Sequence, residues 1–234
     1  MAPEHRLSRP GLKRLRPRSL QHGPIGPCSR PRCRSVATAD RVAATMDALG
    51  LPQADIAAHS HGGAVAMMLA ARHPHRVRRL ILFAPANPYC NLGEQLIRFY
   101  QTPFGTWLAR QIPWMPRRFK AVALGRMYGD RSRVTLDALE GYTEGLTIPG
   151  TVDHVLGIVR RWSADMKILR SALSGLVEKP TLLIWGDRDR AVSLDSARVL
   201  QHKLPNPACW FFPESDISPS KRCPTSVTRP CATG

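Results

Sequence analysis

Residues 53–74 read QADIAAHSHGGAVAMMLAARHP, and the fold turns on how that stretch divides. The first six, QADIAA, are short and apolar, as expected of a buried parallel strand. The last thirteen, GGAVAMMLAARHP, form a helix pattern that stops at Pro74. Between the two stand His59, Ser60 and His61. A serine on a strand-to-helix turn is held in a strained, exposed backbone position where its hydroxyl points above the sheet, which is the setting of a nucleophile. Ala58 and the two glycines after His61 are small enough for strand and helix to close around such a turn. The competing reading is a serine that only caps the helix.

Working outward, TADRVAATMDALGL (residues 38–51) has apolar residues at helical spacing, opens on a Thr cap and ends on Gly50. VRRLILFAPA (77–86) is a second buried strand. KPTLLIWGDRD (179–189) is a third, SLDSARVLQHKLP (193–205) is a helix with a Ser cap, and ACWFFPE (208–214) is a last strand. Strands alternating with helices predict an α/β fold with a parallel sheet and flanking helices. Residues 87–178 differ, with tryptophans and Leu-rich helical stretches and no clear strand. They are expected to form an inserted helical cap over the strands' C-terminal ends. The expected organisation is then a core of residues 38–86 and 179–214, a cap of 87–178, and tails of 1–37 and 215–234.

At 234 residues and 43% hydrophobic, the chain is long enough for one core with a cap. The net charge of +17 suggests nucleic acid until it is divided along the chain. Residues 1–40 hold nine Lys/Arg against two acids, and 215–234 hold three against one, so the tails supply more than half of it. Neither tail has a Phe, Tyr or Trp to stack on bases, so no nucleic-acid partner is expected. Six prolines before Cys33 rule out an amphipathic transit helix, and residues 1–37 read as a basic, disordered tail. No run of roughly 18 apolar residues and no secretory leader occurs, so no membrane partner and a cytoplasmic location are expected. The six cysteines show no paired metal spacing and read as free thiols.

HSHGG, RVRRLILFAPA and LLIWGDRD together resemble the α/β-hydrolase superfamily, in its capped branch of esterase-like and C–C-bond-hydrolase-like enzymes. The resemblance covers residues 38 to 214. It implies a partial α/β-hydrolase fold, a small-molecule substrate and no metal or organic cofactor. On the positions that match, it implies that Ser60 is the nucleophile, that the backbone amide of His61 is one arm of the oxyanion hole, and that the acid after the third strand is Asp189, with Asp187 as runner-up. Either aspartate has a plainer reading as a loop carboxylate paired with Arg188 or Arg190. A serine at position 60 argues against dehalogenase and epoxide-hydrolase chemistry, which places Asp there.

The resemblance also implies a histidine soon after the last strand, in a Gly-His pair continued by Pro and Glu. The sequence has none after His202. His59 and His61 flank the serine with diverging side chains, His73 and His75 stand at the far end of its helix, His154 lies in the cap, and His202 is on a surface helix. Written with permitted codons and read from the third base, the segment from Ser215 becomes Gly-His-Leu-Pro-Phe-Glu-Glu-Met-Pro-Asp-Leu-Cys-Asn. The Asp-Ile step can give only His or Tyr there. The chain is therefore expected to leave its ancestral frame near Ser215 and to lose the catalytic base. Only 59 residues precede Ser60, where the family spends on the order of 90 and supplies the second oxyanion amide, so an incomplete sheet with an open edge is expected. The function expected is hydrolysis of a small, fairly apolar ester or related carbonyl compound, impaired by the missing base. The alternative is a noncatalytic, ligand-binding remnant of the same fold.

Overall fold

The computed structural model describes residues 35–90, 94–125, 134–176, 179–186, 189, 191–204 and 207–212. Four strands form one parallel sheet in chain order: β1 (Ala54–His59), β2 (Val77–Phe83), β3 (Thr181–Gly186) and β4 (Ala208–Phe212). The parallel sheet with flanking helices expected from the sequence is thus observed. Parallel neighbours need a crossover between them, and each connection carries helix. α1 (Ser35–Ala48) precedes β1, α2 (His61–Arg72) links β1 to β2, and α8 (Leu194–Lys203) links β3 to β4. The β2-to-β3 connection is long and helical, running through α3 (Glu94–Gln101), α4 (Pro103–Gln111), α5 (Arg117–Gly125), α6 (Leu136–Glu144) and the 22-residue α7 (Thr151–Ala172).

One face of the sheet makes the core. Leu80, Leu82, Leu183, Trp185 and Cys209 pack there against Met67, Met68 and Leu69 of α2, Ala39 and Ala43 of α1, and Ala197 and Leu200 of α8. Each large apolar side chain buried this way contributes about 1.5–3 kcal/mol. The side chains of alternate residues point to the other face. There Asp55, Ala57 and His59 of β1 are exposed and Ile81 and Phe83 only half-buried. β1 therefore departs from the fully buried strand its composition suggests, because it is an edge and no helix among the described residues covers its second face. β3, flanked on both sides, is the strand that is buried nearly throughout.

α1 begins at Ser35, three residues before the expected start, and Thr38 stands inside it rather than at its cap. The cause lies 130 residues away: Ser35 donates both its amide, at 2.7 Å, and its hydroxyl, at 2.8 Å, to Oδ2 of Asp165, a buried carboxylate on α7. A carboxylate that accepts the first free N–H of a helix does the work of an N-cap, here across the fold. Ser35, Val36 and Ala37 thus belong to the packed structure and not to the tail. The remaining tail residues, 1–34 and 215–234, lie outside the described residues. α1 is further fastened to α2 and the turn after it: Arg72 donates to both carboxylate oxygens of Asp40, and Arg76 pairs with Asp47. Nε2 of His73 lies 2.8 Å from Asp40, and that hydrogen bond, with the Arg72 pair, holds the Asp40 carboxyl below its ordinary value. α8 starts as read, with the Ser193 hydroxyl accepting from the amide of Ser196.

Candidate active site

Ser60 follows β1 and precedes the first residue of α2, with φ 50° and ψ −125°. A non-glycine residue in that region is strained by about 1–3 kcal/mol and persists only where its surroundings over-determine it. Here they do. The Ser60 amide donates to the carbonyl of Phe83 at 3.0 Å, and its own carbonyl accepts from Gly63 and Ala86, each at 2.9 Å. The turn is thereby stitched to the end of β2. A Cβ on Gly63 would lie 2.4 Å from Cβ of Pro85 and 2.8 Å from its Cα, so only glycine lets α2 approach that loop. At Gly62 a Cβ would stand an ordinary 3.9 Å from Cβ of Ala58, which explains why alanine suffices at position 58.

The Ser60 side chain makes no capping hydrogen bond to α2. A capping serine would adopt an extended backbone and accept from the second or third helical amide. This one does neither. Its neighbour His61 opens α2, so the His61 amide belongs to the orphan donors of a helix N-terminus, where the macrodipole favours negative charge. The His61 ring turns toward the helical insertion and packs on Trp162 of α7, with centroids 6.4 Å apart. Burial holds its imidazole below the usual 6.5, partly offset by Asp165 and reinforced by His154. It is neutral at pH 7.

Asp189 follows the C-terminal end of β3 and is buried. Its Oδ1 accepts from the amides of Ala191 and Val192, both at 2.8 Å, and the Trp185 indole donates to the Val192 carbonyl at 2.9 Å. A fully buried ring in the core thus clamps the turn that orients the carboxylate. Asp187, Arg188 and Arg190 lie outside the described residues. β2 separates β1 from β3, so Ser60 and Asp189 rise from strand ends two spacings apart, about 10 Å. A histidine ring placed between could bond to both.

Between those ends lies a polar knot that the sequence reading missed. Asn87, fully buried, donates from Nδ2 to the Pro85 carbonyl at 3.1 Å and to the Ser196 hydroxyl at 3.2 Å, and its Oδ1 accepts from the Tyr89 amide. Cys90 donates weakly to the same Ser196 hydroxyl, and burial pushes its thiol up. The loop after β2, which bonds to Ser60, is thereby pinned to α8, which follows Asp189. Asn before Pro after a strand is a turn signal, and it was available in APANP.

His73 is beside Asp40, His61 faces Trp162, and His202 is in the last turn of α8. Among the described residues none hydrogen-bonds the Ser60 hydroxyl. None of their His, Cys, Asp and Glu side chains cluster as a metal site, and no helix is long and apolar enough to cross a membrane.

Residues 17–216 match the family profile for the α/β-hydrolase fold. Two curated relatives are 2-hydroxymuconate semialdehyde hydrolases. The protein of Pseudomonas putida is 51% identical over 71% of this chain and 57% of its own length, and that of Pseudomonas sp. strain CF600 is 49% identical over 69% and 54%. The chain spans about half the length of these curated relatives. Among solved structures, a haloalkane dehalogenase from Bradyrhizobium elkani superposes with a TM-score of 0.65 at 21% identity, covering 82% of this chain and 69% of that one.

Proposed function

The chain belongs to the α/β-hydrolase fold family, and on that premise we propose that it is built to hydrolyse a small, fairly apolar ester or related carbonyl compound through Ser60. The fold alone does not choose this chemistry, since a dehalogenase shares it. The observation that carries the reading is the Ser60 turn: a strained backbone, tied by three hydrogen bonds, whose hydroxyl is spared from capping. In the proposed reaction the Ser60 hydroxyl oxygen attacks the carbonyl carbon as a histidine takes its proton. The oxyanion rests on backbone amides that include His61, and the leaving group departs with the proton returned by the histidine. Water then releases the acyl group by the same steps. Asp189, its other oxygen fixed by two amides, is the residue suited to orient that histidine.

The insertion is proposed as a cap, supported by Trp162 of α7 standing against His61 beside the nucleophile. The relatives' names favour 2-hydroxymuconate semialdehyde as the first carbon–carbon substrate to test, with 4-nitrophenyl acetate as the activated ester. Because no histidine follows His202, we further propose that the 234-residue chain turns over slowly, keeping only the catalysis due to the oxyanion site and binding. That same absence favours the second reading, a ligand-binding remnant. The test is steady-state hydrolysis of both compounds, with ligand binding followed in parallel. Slow ester turnover that disappears in Ser60→Ala supports the nucleophile assignment. Binding with no turnover supports the remnant, and turnover unchanged by Ser60→Ala contradicts both.

A further inference from the structure

The helical insertion leaves several of its large apolar side chains in water. Phe104 and Trp107, one turn apart on α4, stack with ring centroids 5.9 Å apart, and both are exposed. Trp114, on the short turn after α4, is the most exposed large hydrophobic residue among the described residues, and Phe119 on α5 is exposed as well. Single surface apolar residues are ordinary, but four exposed aromatics within sixteen residues, two of them stacked, point to an interaction surface.

Charge selects the occupant. Residues 94–125 hold five Lys/Arg and a single acid. Arg110 and Arg117 are paired with Asp153 and Glu140, so the cations left beside the aromatics are Arg118 and Lys120. The Arg118 guanidinium lies 5.1 Å above the Phe119 ring, and the Lys120 ammonium donates to the Pro113 carbonyl, next to Trp114. Neither has an acidic partner among the described residues. Lysine is depleted in the cores of protein interfaces, whereas Trp and Phe beside Lys and Arg are the composition of elements that lie at a bilayer's headgroup level. The chain's charge of +17 adds long-range attraction to the same target.

From this we propose, against the sequence expectation of no membrane partner, which rested on the lack of a spanning segment, that α4, α5 and the turn between them form a peripheral docking surface for an anionic phospholipid bilayer. The aromatic rings would sit at the headgroup boundary, with Arg118 and Lys120 against lipid phosphates. The proposal does not depend on the activity of Ser60.

The experiment is cosedimentation of the full chain with vesicles of phosphatidylcholine, alone and mixed with phosphatidylglycerol, with tryptophan emission recorded in parallel. The mixed vesicles should bind at least about tenfold more strongly, with a blue shift in emission. The double variant Trp107→Ala/Trp114→Ala should lose about tenfold of that binding, and so should Arg118→Glu/Lys120→Glu. Circular dichroism of both variants should match the parent, because Trp107, Trp114 and Arg118 are exposed and Lys120 is only half-buried, its one bond being to the Pro113 carbonyl. Absent binding overturns the proposal. So does binding that the tryptophan variant retains in full, which would place the attraction in the basic ends of the chain. A dimer that the tryptophan variant splits would make the surface a contact between copies and would equally overturn it.

Discussion

Strand β3 and the segment from α4 to α5 are both rich in large apolar residues, and the chain treats them in opposite ways. Leu183 and Trp185 of β3 are 2% and 1% exposed, whereas Phe104 and Trp114 of the insertion are 63% and 78% exposed. In the first region apolar side chains hold geometry: Trp185 fills the core and its indole clamps the turn that orients Asp189. In the second they contribute little to holding the insertion together. Hydrophobicity of composition therefore says nothing about stability until the packing face is known. The proposed chemistry sits on the first kind of region, and the proposed lipid contact on the second.

The sharpest way to break that contrast is to truncate one residue on each side. Leu183→Ala should cost about 3–5 kcal/mol in urea unfolding, the range for a fully packed leucine whose cavity cannot collapse. Trp114→Ala, a larger deletion by volume, should stay within about 0.5 kcal/mol. Equal losses would mean that the insertion is packed against something that the contrast omits.

A smaller effect tests the joint between the two regions. Ser35→Ala removes the hydroxyl bond to Asp165 and leaves that buried carboxylate with one donor fewer from α1, so stability should fall by about 1.5–3 kcal/mol. Asp165→Asn in the same background should recover part of that loss, because it removes the charge left undersatisfied. Additive losses would show that the two residues do not act as a unit.

The smallest effect is a pH dependence at the same joint. His61, on the core side, faces Trp162, Asp165 and His154 on the insertion, and its folded pKa lies below the unfolded value of about 6.5, chiefly through burial. The unfolded chain then binds more protons between the two values, so stability declines as pH falls through 6.5 toward the folded pKa and is level above it. His61→Gln should flatten that part of the curve in urea midpoints measured across the range. The Asp40 carboxyl, held low by His73 and Arg72, acts in a separate window, with its contribution lost only below about 3.8.

What was legible in the sequence follows the same division. The four strands, the α2 and α8 helices and the Ser60 turn were readable because their signals are local: apolar runs, a Ser cap, small residues around a serine. The start of α1 was not, because its cap is a carboxylate 130 positions along the chain and nothing near Ser35 announces it. The half-exposed state of β1 was not legible either, since burial of a strand depends on what covers its faces. At the candidate site the positions of Ser60 and Asp189 could be read from strand ends. The Asn87–Ser196 bond could not, because a side-chain contact spanning 109 residues leaves no mark in either neighbourhood.

The central proposal is that Ser60 is a nucleophile that needs a histidine to take its proton, and placing a histidine after β4 tests it most directly. The segment from Ser215 onward is replaced by Gly-His-Leu-Pro-Phe-Glu-Glu-Met-Pro-Asp-Leu-Cys-Asn, and 4-nitrophenyl acetate hydrolysis is compared for the original chain, the repaired chain and the repaired chain with Ser60→Ala. The account predicts a rise of at least about 100-fold on repair, short of the roughly 10⁶-fold that a complete triad can supply, and a return to the original rate or below with Ser60→Ala. A repaired chain that is folded and no faster than the original, or a rise that survives Ser60→Ala, would contradict it.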